Sequence, residues 1–165
     1  MHGISDLVVA VTPPLVHAVK KSAPSADMII IDAPPGTSCP VIESVRDVDY
    51  VVLVAEPTPF GLNDLKLAVE MCRTLGLRFA VVVNRVGIGD DRVHRYCKDE
   101  GLEILQEIPD DRKIAHAYSR GMLVCEIYED YRELFLQLLD KINNIVGLSK
   151  KSTSSLVEED SDAGV

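Results

Sequence analysis

A carboxylate follows an uninterrupted apolar run near the beginning of the chain. Residues 28–31 are Met-Ile-Ile-Ile, Asp32 comes directly after them, and a Pro-Pro-Gly turn ends at Gly36. An apolar run without alternation is typical of a parallel-sheet strand covered on both faces, and ligands bind at the carboxyl ends of such strands. We therefore expect a buried strand that delivers Asp32 to the sheet edge, where a carboxylate can hold a water of a magnesium ion. The alternative is an acidic turn or N-cap residue without a ligand.

Two further polar motifs follow later apolar segments. Asn84 and Arg85 come directly after the apolar residues 79–83, and the alternative to a ligand-binding role is a polar strand end with an ordinary cap. Residues 109–111 are Pro-Asp-Asp. They predict a helix start, because proline is tolerated in the first turn and acidic residues favour the positive helix end. One of the two aspartates is then expected to be the helix cap.

Apolar runs alternate with amphipathic segments, which predicts a βα architecture. The predicted strands are residues 28–31, 50–55, 79–83 and 103–105, after a short apolar run at residues 7–11. The predicted helices are residues 12–21 with Thr12 as N-cap, 41–48, 62–75, 91–99, 109–120 and 128–146. Residues 147–165 are rich in Ser, Lys, Glu and Asp, so we expect a disordered polar tail after one folded domain over residues 1–146.

The composition is that of one soluble globular domain. The chain has 165 residues, 47% of them hydrophobic and 26% charged, with a formal net charge of −9. This charge argues against a general affinity for nucleic acid or anionic lipid, which select basic surfaces. The sequence has no run of about 18 apolar residues and no basic-then-apolar leader, so we expect a cytoplasmic protein without a membrane span. Four scattered cysteines predict reduced thiols and no disulfides; they are Cys39, Cys72, Cys97 and Cys125.

Four motifs, in this order and at these spacings, resemble the MinD/ParA group of P-loop ATPases, also known as the CobQ/CobB/MinD/ParA nucleotide-binding domain. They are residues 31–37 (IDAPPGT), 56–65 (EPTPFGLNDL), 84–85 (NR) and 108–111 (IPDD). Together they are far more specific than any one alone. The resemblance covers roughly residues 5–125, and it is closest to members with an inserted ferredoxin domain. It implies an α/β fold of the P-loop NTPase-like, Rossmann-like kind, a mostly parallel sheet flanked by helices.

The chain also departs from the family pattern. That family begins with a glycine-rich Walker A loop that carries phosphate-binding lysines, and its insertion carries closely spaced ferredoxin cysteines. No Gly-Lys-Thr, Gly-Lys-Ser or Cys-x-x-Cys occurs in the sequence. The chain therefore resembles only the C-terminal half of such an ATPase, with a fold that is incomplete at the N-terminal side. Met1 stands where the missing half would end, which an independent gene start, a split gene or a truncated reading frame explains equally well.

The resemblance implies a site for ATP or ADP with Mg²⁺. It implies that Asp32 holds a magnesium-bound water and belongs to the nucleotide-sensing switch, and that the Gly36 backbone N–H binds the terminal phosphate. It implies that Asn84 contacts the adenine, with Arg85 beside it. Pro109 and Asp110 would belong to the loop that closes over the base or ribose. Residues 56–64 are either a nucleotide-dependent switch or partner surface, or a plain β–α connection with an N-cap at Asn63.

Cys39 directly follows the switch turn. In the related nitrogenase iron-protein group, a cysteine after this turn helps to bind an iron–sulfur cluster shared by two subunits. The wider motif differs here, so a reduced structural thiol is the default expectation for Cys39. An iron–sulfur cluster is otherwise expected only together with the missing ferredoxin segment.

The sequence thus predicts the nucleotide-binding part of a MinD-like ATPase, in an iron–sulfur or redox-associated assembly. We do not expect an autonomous ATPase, because charge stabilisation dominates phosphoryl transfer and the lysine-bearing loop is missing. A separately encoded N-terminal half is the expected source of that loop, and a ferredoxin-like protein is a further possible partner. The family works as nucleotide-sandwiched dimers, which implies a dimer or self-association. The alternative is a non-catalytic protein-interaction module, or a truncated remnant, on the same α/β scaffold.

Overall fold

The computed structural model describes residues 13–22, 26 and 28–147. The predicted apolar run at residues 7–11, the predicted N-cap Thr12 and the predicted tail after Gly147 lie outside these residues. In the part of the chain that is described, no helix has the length and apolar character needed to cross a membrane.

Parallel strands form the sheet. They are β1 (Val51–Ala55), β2 (Phe79–Val86) and β3 (Ile104–Pro109), in the order β1-β2-β3. β1 pairs with β2 in one continuous register, from Val51 opposite Phe79 to Ala55 opposite Val83. The predicted parallel sheet flanked by helices is therefore confirmed.

Helices precede, connect and follow the strands. They are α1 (Pro13–Ser22), α2 (Cys39–Val45), α3 (Pro59–Thr74), α4 (Arg92–Asp99), α5 (Arg112–Ser119), α6 (Val124–Ile127) and α7 (Glu129–Val146). The short helix α6 was not predicted, and the other helices lie close to their predicted positions. The βα alternation read from the sequence is thus present from β1 to α5.

Two helix starts differ from the prediction by three residues. α3 begins at Pro59 rather than at residue 62, because its N-cap is Thr58 and not Asn63. The Thr58 side-chain oxygen accepts a hydrogen bond from the Gly61 N–H at 3.0 Å, the usual contact of a threonine cap. α5 begins at Arg112 rather than at residue 109, because Pro109 is still the last residue of β3. Proline is tolerated there, at the end of a strand.

β2 is buried on both faces, which accounts for its uninterrupted apolar sequence. Val81 and Val83 are fully buried on one face. They cluster with Leu65 and Val69 of α3 and with Val93 and Cys97 of α4. Ala80 and Val82 cluster instead with Leu105 of β3, against Leu138, Ile142 and Ile145 of α7. Successive side chains of a strand point to opposite faces, so α3 and α4 cover one face of β2 and α7 covers the other.

The predicted buried strand at residues 28–31 is wrong. These residues form no strand, and Ile29 and Ile30 are 54% and 82% exposed. A strand needs a neighbour for its backbone hydrogen bonds and a cover for its apolar side chains. No described strand pairs with residues 28–31, and β1 pairs only with β2. The apolar pattern alone therefore misled the prediction, since the described part of the chain lacks the partner that the pattern requires.

Replacing Leu105 by alanine should destabilise the fold. The side chain is 2% exposed between the sheet and α7, so Leu105→Ala should lower the free energy of unfolding in urea by about 2–5 kcal/mol. Leu67→Ala is the matched control, because Leu67 lies on α3 and is 48% exposed; it should change the same quantity by less than about 0.5 kcal/mol. Equal effects of the two substitutions would contradict this account of the core.

Candidate functional site

The carboxyl ends of the strands meet at one edge of the sheet, where they hold a charged cluster. Glu56 follows β1, Arg85 lies near the end of β2, and Asp110 follows β3. The Arg85 guanidinium donates from Nε to the Asp110 carboxylate at 2.9 Å and from Nη1 to the Glu56 carboxylate at 3.5 Å. One side chain thus joins loops from both neighbouring strands across β2.

Arg85 has an unusual backbone conformation. Asn84 lies opposite Ile108 and Val86 lies opposite Pro109, with a register shift between them, so Arg85 is an extra, bulged residue. Its φ of 59° is in the left-handed region, and the Asn84 side-chain oxygen accepts the Arg85 N–H at 3.0 Å. The hydrogen bond to Asp110 and the negative charge of Glu56 raise the pKa of the Arg85 guanidinium above its ordinary value. The bulge aims this cation at the two carboxylates.

The loop after β1 is held by close backbone contacts. A Cβ atom at Gly61 would lie 2.2 Å from the Glu56 carbonyl oxygen, and one at Gly89 would lie 1.9 Å from the Pro57 carbonyl oxygen. Neither distance is sterically possible, so both positions require glycine. The Asp90 N–H also donates to the Pro57 carbonyl at 3.1 Å. These contacts fix the start of the 56–64 segment, and the motif at residues 56–65 already contained Gly61 without indicating this close approach.

The two aspartates after β3 have separate roles. Asp111 is the N-cap of α5, accepting the Lys113 N–H at 2.9 Å, so the expectation that one aspartate caps this helix is met. Asp110 pairs with Arg85, and its N–H donates to the Val86 carbonyl at 2.9 Å. Asp110 is therefore tied to the end of β2 through both its side chain and its backbone.

Asp111 also connects this loop to α7. Its second carboxylate oxygen accepts the Tyr131 hydroxyl at 3.1 Å. Tyr131 is 3% exposed, and burial together with the Asp111 carboxylate raises the pKa of its phenol to about 12. Lys113 forms a 2.7 Å ion pair with Asp130 of α7. This hydrogen bond lowers the pKa of Asp130 and raises the pKa of Lys113. Sequence analysis missed these contacts, because no motif marks Tyr131.

Several residues implied by the resemblance make no hydrogen bond or ion pair with the described residues of the charged cluster. Asp32 is exposed in the segment that forms no strand. Gly36 has a φ of 93°, which suits a turn that only glycine adopts readily. Among the described residues, no hydrogen bond or ion pair joins either of them to Glu56, Arg85 or Asp110. Cys39 is the exposed first residue of α2 and has a free thiol.

The edge offers an amide donor on Asn84 and a guanidinium on Arg85 that is already paired. Asn84 is half-buried, and its side-chain oxygen is used within the chain, while its amide N–H₂ has no hydrogen-bond partner among the described residues. That amide can donate to a ring nitrogen or carbonyl of a base. The cation at this edge, Arg85, is already paired with two carboxylates. Within the described ranges, no group of three or more His, Cys, Asp or Glu side chains could hold a metal ion.

Replacing Tyr131 by phenylalanine tests the contact between α5 and α7. Tyr131→Phe should lower the free energy of unfolding at pH 8 by about 1.5–3 kcal/mol, because it removes a hydrogen bond to a charged group. The folded-state pKa of about 12 lies above the ordinary value of 10. The contribution is therefore complete below pH 10 and is lost as the pH rises towards 12. Urea denaturation at several pH values should give a difference from the unaltered chain that shrinks above pH 10. A pH-independent difference would contradict the assignment.

Comparisons with known proteins agree with this architecture. No protein-family model matches the chain. An uncharacterized protein of Methanocaldococcus jannaschii is 30% identical over 142 residues, which cover 85% of this chain and 49% of that protein. An iron-sulfur cluster carrier protein of Pyrococcus horikoshii is 28% identical over 144 residues, covering 74% of this chain and 48% of that protein. The chain thus spans about half the length of the curated relatives it matches.

A solved structure has the same fold. The septum site-determining protein MinD of Pyrococcus horikoshii, in complex with Mg-ADP, matches with a TM-score of 0.64 at 20% identity, covering 84% of this chain and 58% of that structure. A chloroplastic septum site-determining protein minD homolog of Arabidopsis thaliana is 30% identical over 156 residues, covering 89% of this chain and 44% of that protein. These relatives and the fold confirm the resemblance: this chain is similar to part of a MinD/ParA-like protein and has the P-loop NTPase-like fold of MinD.

Proposed function

We propose that the chain forms the base-binding side of a MinD-like nucleotide site. The observation that supports this most is the convergence of Glu56, Asn84, Arg85 and Asp110 at the carboxyl edge of a parallel sheet. Ligands of open α/β sheets bind at this edge. The similar MinD structure was solved in complex with Mg-ADP, which makes an adenine nucleotide the first candidate ligand.

The base contact is assigned to the Asn84 amide, with the loop of Pro109 and Asp110 closing over the base or ribose. The Asn84 amide N–H₂ has no partner among the described residues. Asp110 lies directly after β3, one residue beyond Pro109, and is held to the end of β2. The base and ribose would thus be recognised by elements that the chain already positions.

The phosphate side of the site is incomplete within this sequence. We assign Asp32 to a magnesium-bound water and the Gly36 N–H to the terminal phosphate, in accordance with the family resemblance. A bound Mg²⁺ would neutralise charge between the phosphates, the chemistry on which phosphoryl transfer depends. The sequence contains no Gly-Lys-Thr or Gly-Lys-Ser loop. We therefore propose that hydrolysis requires such a loop from a further segment or a separate chain.

The wider assembly is proposed to be associated with iron–sulfur or redox proteins. Support comes from relatives named iron-sulfur cluster carrier proteins, in Pyrococcus horikoshii and in other archaea. Cys39 is an exposed free thiol that follows the proposed switch turn. We do not assign it a cluster, because no group of three or more His, Cys, Asp or Glu side chains that could hold a metal ion occurs among the described residues. A cluster would come from a ferredoxin-like partner.

Calorimetric titration with Mg-ATP and Mg-ADP tests the base site. Asn84→Asp should weaken binding about 10-fold, equivalent to the loss of one hydrogen bond of about 1.4 kcal/mol. The substitution keeps the oxygen that accepts the Arg85 N–H and removes the free amide donor. Asp32→Ala should reduce the difference in affinity between titrations with and without Mg²⁺.

Two exposed residues provide matched controls for these variants. Gln137 lies on α7 and Asp49 lies before β1, and both are exposed. Gln137→Glu makes the same amide-to-carboxylate change as Asn84→Asp, and both Gln137→Glu and Asp49→Ala should leave the affinity unchanged. A folded chain that binds neither nucleotide, or a control that weakens binding as much as Asn84→Asp, would reject the proposed site.

A second candidate function is a protein-interaction module, favoured by exposed apolar side chains in β1 and in residues 28–31. Val54 of β1 is 64% exposed, and Ile29 and Ile30 are 54% and 82% exposed. No described strand pairs with the outer edge of β1. A free strand edge with apolar side chains promotes pairing with another chain. We propose that this edge accepts a further strand of the domain, and that isolated chains associate with each other through it.

A lysine at Val54 should reduce self-association, because a charged side chain on an edge strand opposes pairing. Sedimentation over a range of concentrations should give a lower average mass for Val54→Lys than for the unaltered chain. Leu67→Lys is the control, since Leu67 is 48% exposed on α3 and away from the edge. An unaltered chain that stays monomeric at every concentration, or equal effects of the two lysines, would reject this interface.

A further inference from the structure

The conformation of Arg85 requires an explanation beyond its place in the sequence. Among the described residues that are not glycine, only Asp47 and Arg85 have a positive φ. Aspartate adopts this region comparatively easily, because its short polar side chain can bond locally, whereas arginine has no such advantage. A non-glycine residue stays in this region when the surrounding contacts determine its position.

Those contacts come from three strands. The guanidinium reaches Asp110 after β3 at 2.9 Å and Glu56 after β1 at 3.5 Å. The Arg85 backbone N–H is bonded to the Asn84 side-chain oxygen at 3.0 Å. Both carboxylates approach one cation from opposite neighbours of β2, so the side chain spans the carboxyl edge of the sheet.

Backbone contacts carry the effect of this bridge into both loops. The Asp110 N–H donates to the Val86 carbonyl, directly after Arg85, at 2.9 Å. The Asp90 N–H donates to the Pro57 carbonyl, directly after Glu56, at 3.1 Å. Without the guanidinium, two carboxylates would lose the cation that they share, and like charges would push the loops apart. The loops that would face a nucleotide therefore depend on one side chain for their spacing.

We propose that Arg85 is a positioning residue of this edge: it braces the loops after β1 and β3 and does not itself contact the nucleotide. Its Nε and Nη1 groups are already engaged by carboxylates. The affinity part of the test rests on the proposed nucleotide site, whereas the bracing part can be measured without any ligand.

Amide hydrogen exchange of the ligand-free chain tests the brace directly. Arg85→Gly removes the side chain, and glycine accepts a φ of 59° without strain, so the fold should persist. Exchange of the Asp90 and Asp110 amides should become about 5-fold faster. This is the change in rate expected when an exposed ion pair at the upper end of the usual stabilisation range is lost. Arg85→Lys keeps the charge but lacks the guanidinium fork, so it should restore less than half of the protection.

Arg132→Ala is the matched control for the loss of a positive charge. Arg132 lies on α7 and pairs with Glu129 on the same helix. Exchange at Asp90 and Asp110 should be unchanged in this variant. Unchanged exchange in Arg85→Gly, or equal acceleration in Arg132→Ala, would overturn the proposal.

Nucleotide titration separates bracing from direct contact. Asp110→Asn should weaken binding about as much as Arg85→Gly, and the double variant should be within about 2-fold of Arg85→Gly alone, because both changes remove the same bridge. Additive losses in the double variant would mean that the bridge between Arg85 and Asp110 does not account for their effects on binding, which would overturn the positioning role. If the unaltered chain binds no nucleotide, the proposed function fails, and the ligand-free exchange result alone decides whether Arg85 is a brace.

Discussion

Burial of β2 on both faces is the constraint on which the rest of the structure depends. Val81 and Val83 pack under α3 and α4, while Ala80 and Val82 pack under α7. A strand covered in this way needs neighbours on both edges, and β1 and β3 supply them in parallel orientation. Because parallel strands end at the same edge, this packing also brings Glu56, Arg85 and Asp110 together.

The carboxyl edge of the sheet combines closely packed loops with a small charged cluster. Gly61 and Gly89 allow backbone segments to approach each other more closely than any side chain would permit. Asp111 anchors α5 to Tyr131, which connects the loop after β3 to α7. Such a scaffold can orient a base with little reorganisation. Its charged cluster pairs one arginine with two carboxylates, so Arg85 is not free to neutralise a triphosphate. This geometry fits the proposal that the chain supplies one side of a shared nucleotide site.

The partial coverage of the relatives agrees with the proposal that this chain supplies only one side of the site. The chain spans about half the length of the curated proteins it matches and 58% of the similar MinD structure. The unpaired edge of β1 and the exposed residues 28–31 lie in the described part of the chain, and both lack a partner there. A hydrophobic strand without a neighbour gains little from adopting extended structure, because neither its backbone nor its side chains leave water. The same physical rule explains why β2 is ordered and residues 28–31 are not a strand.

The sequence by itself determined those strands, helices and caps that depend on local residue patterns. The apolar runs of β1 and β2, the amphipathic pattern of α7 and the Asp cap of α5 were all legible in it, as was the motif order of the MinD/ParA group. Only the tertiary structure decided the left-handed turn at Arg85, its pairing with residues 25 and 29 positions away, and the glycine contacts at the β1 loop. Periodicity reports which side chains are apolar and how far apart they are. It does not report strand register or the presence of a neighbouring strand, and these two properties decide which charges meet and whether an apolar run is buried.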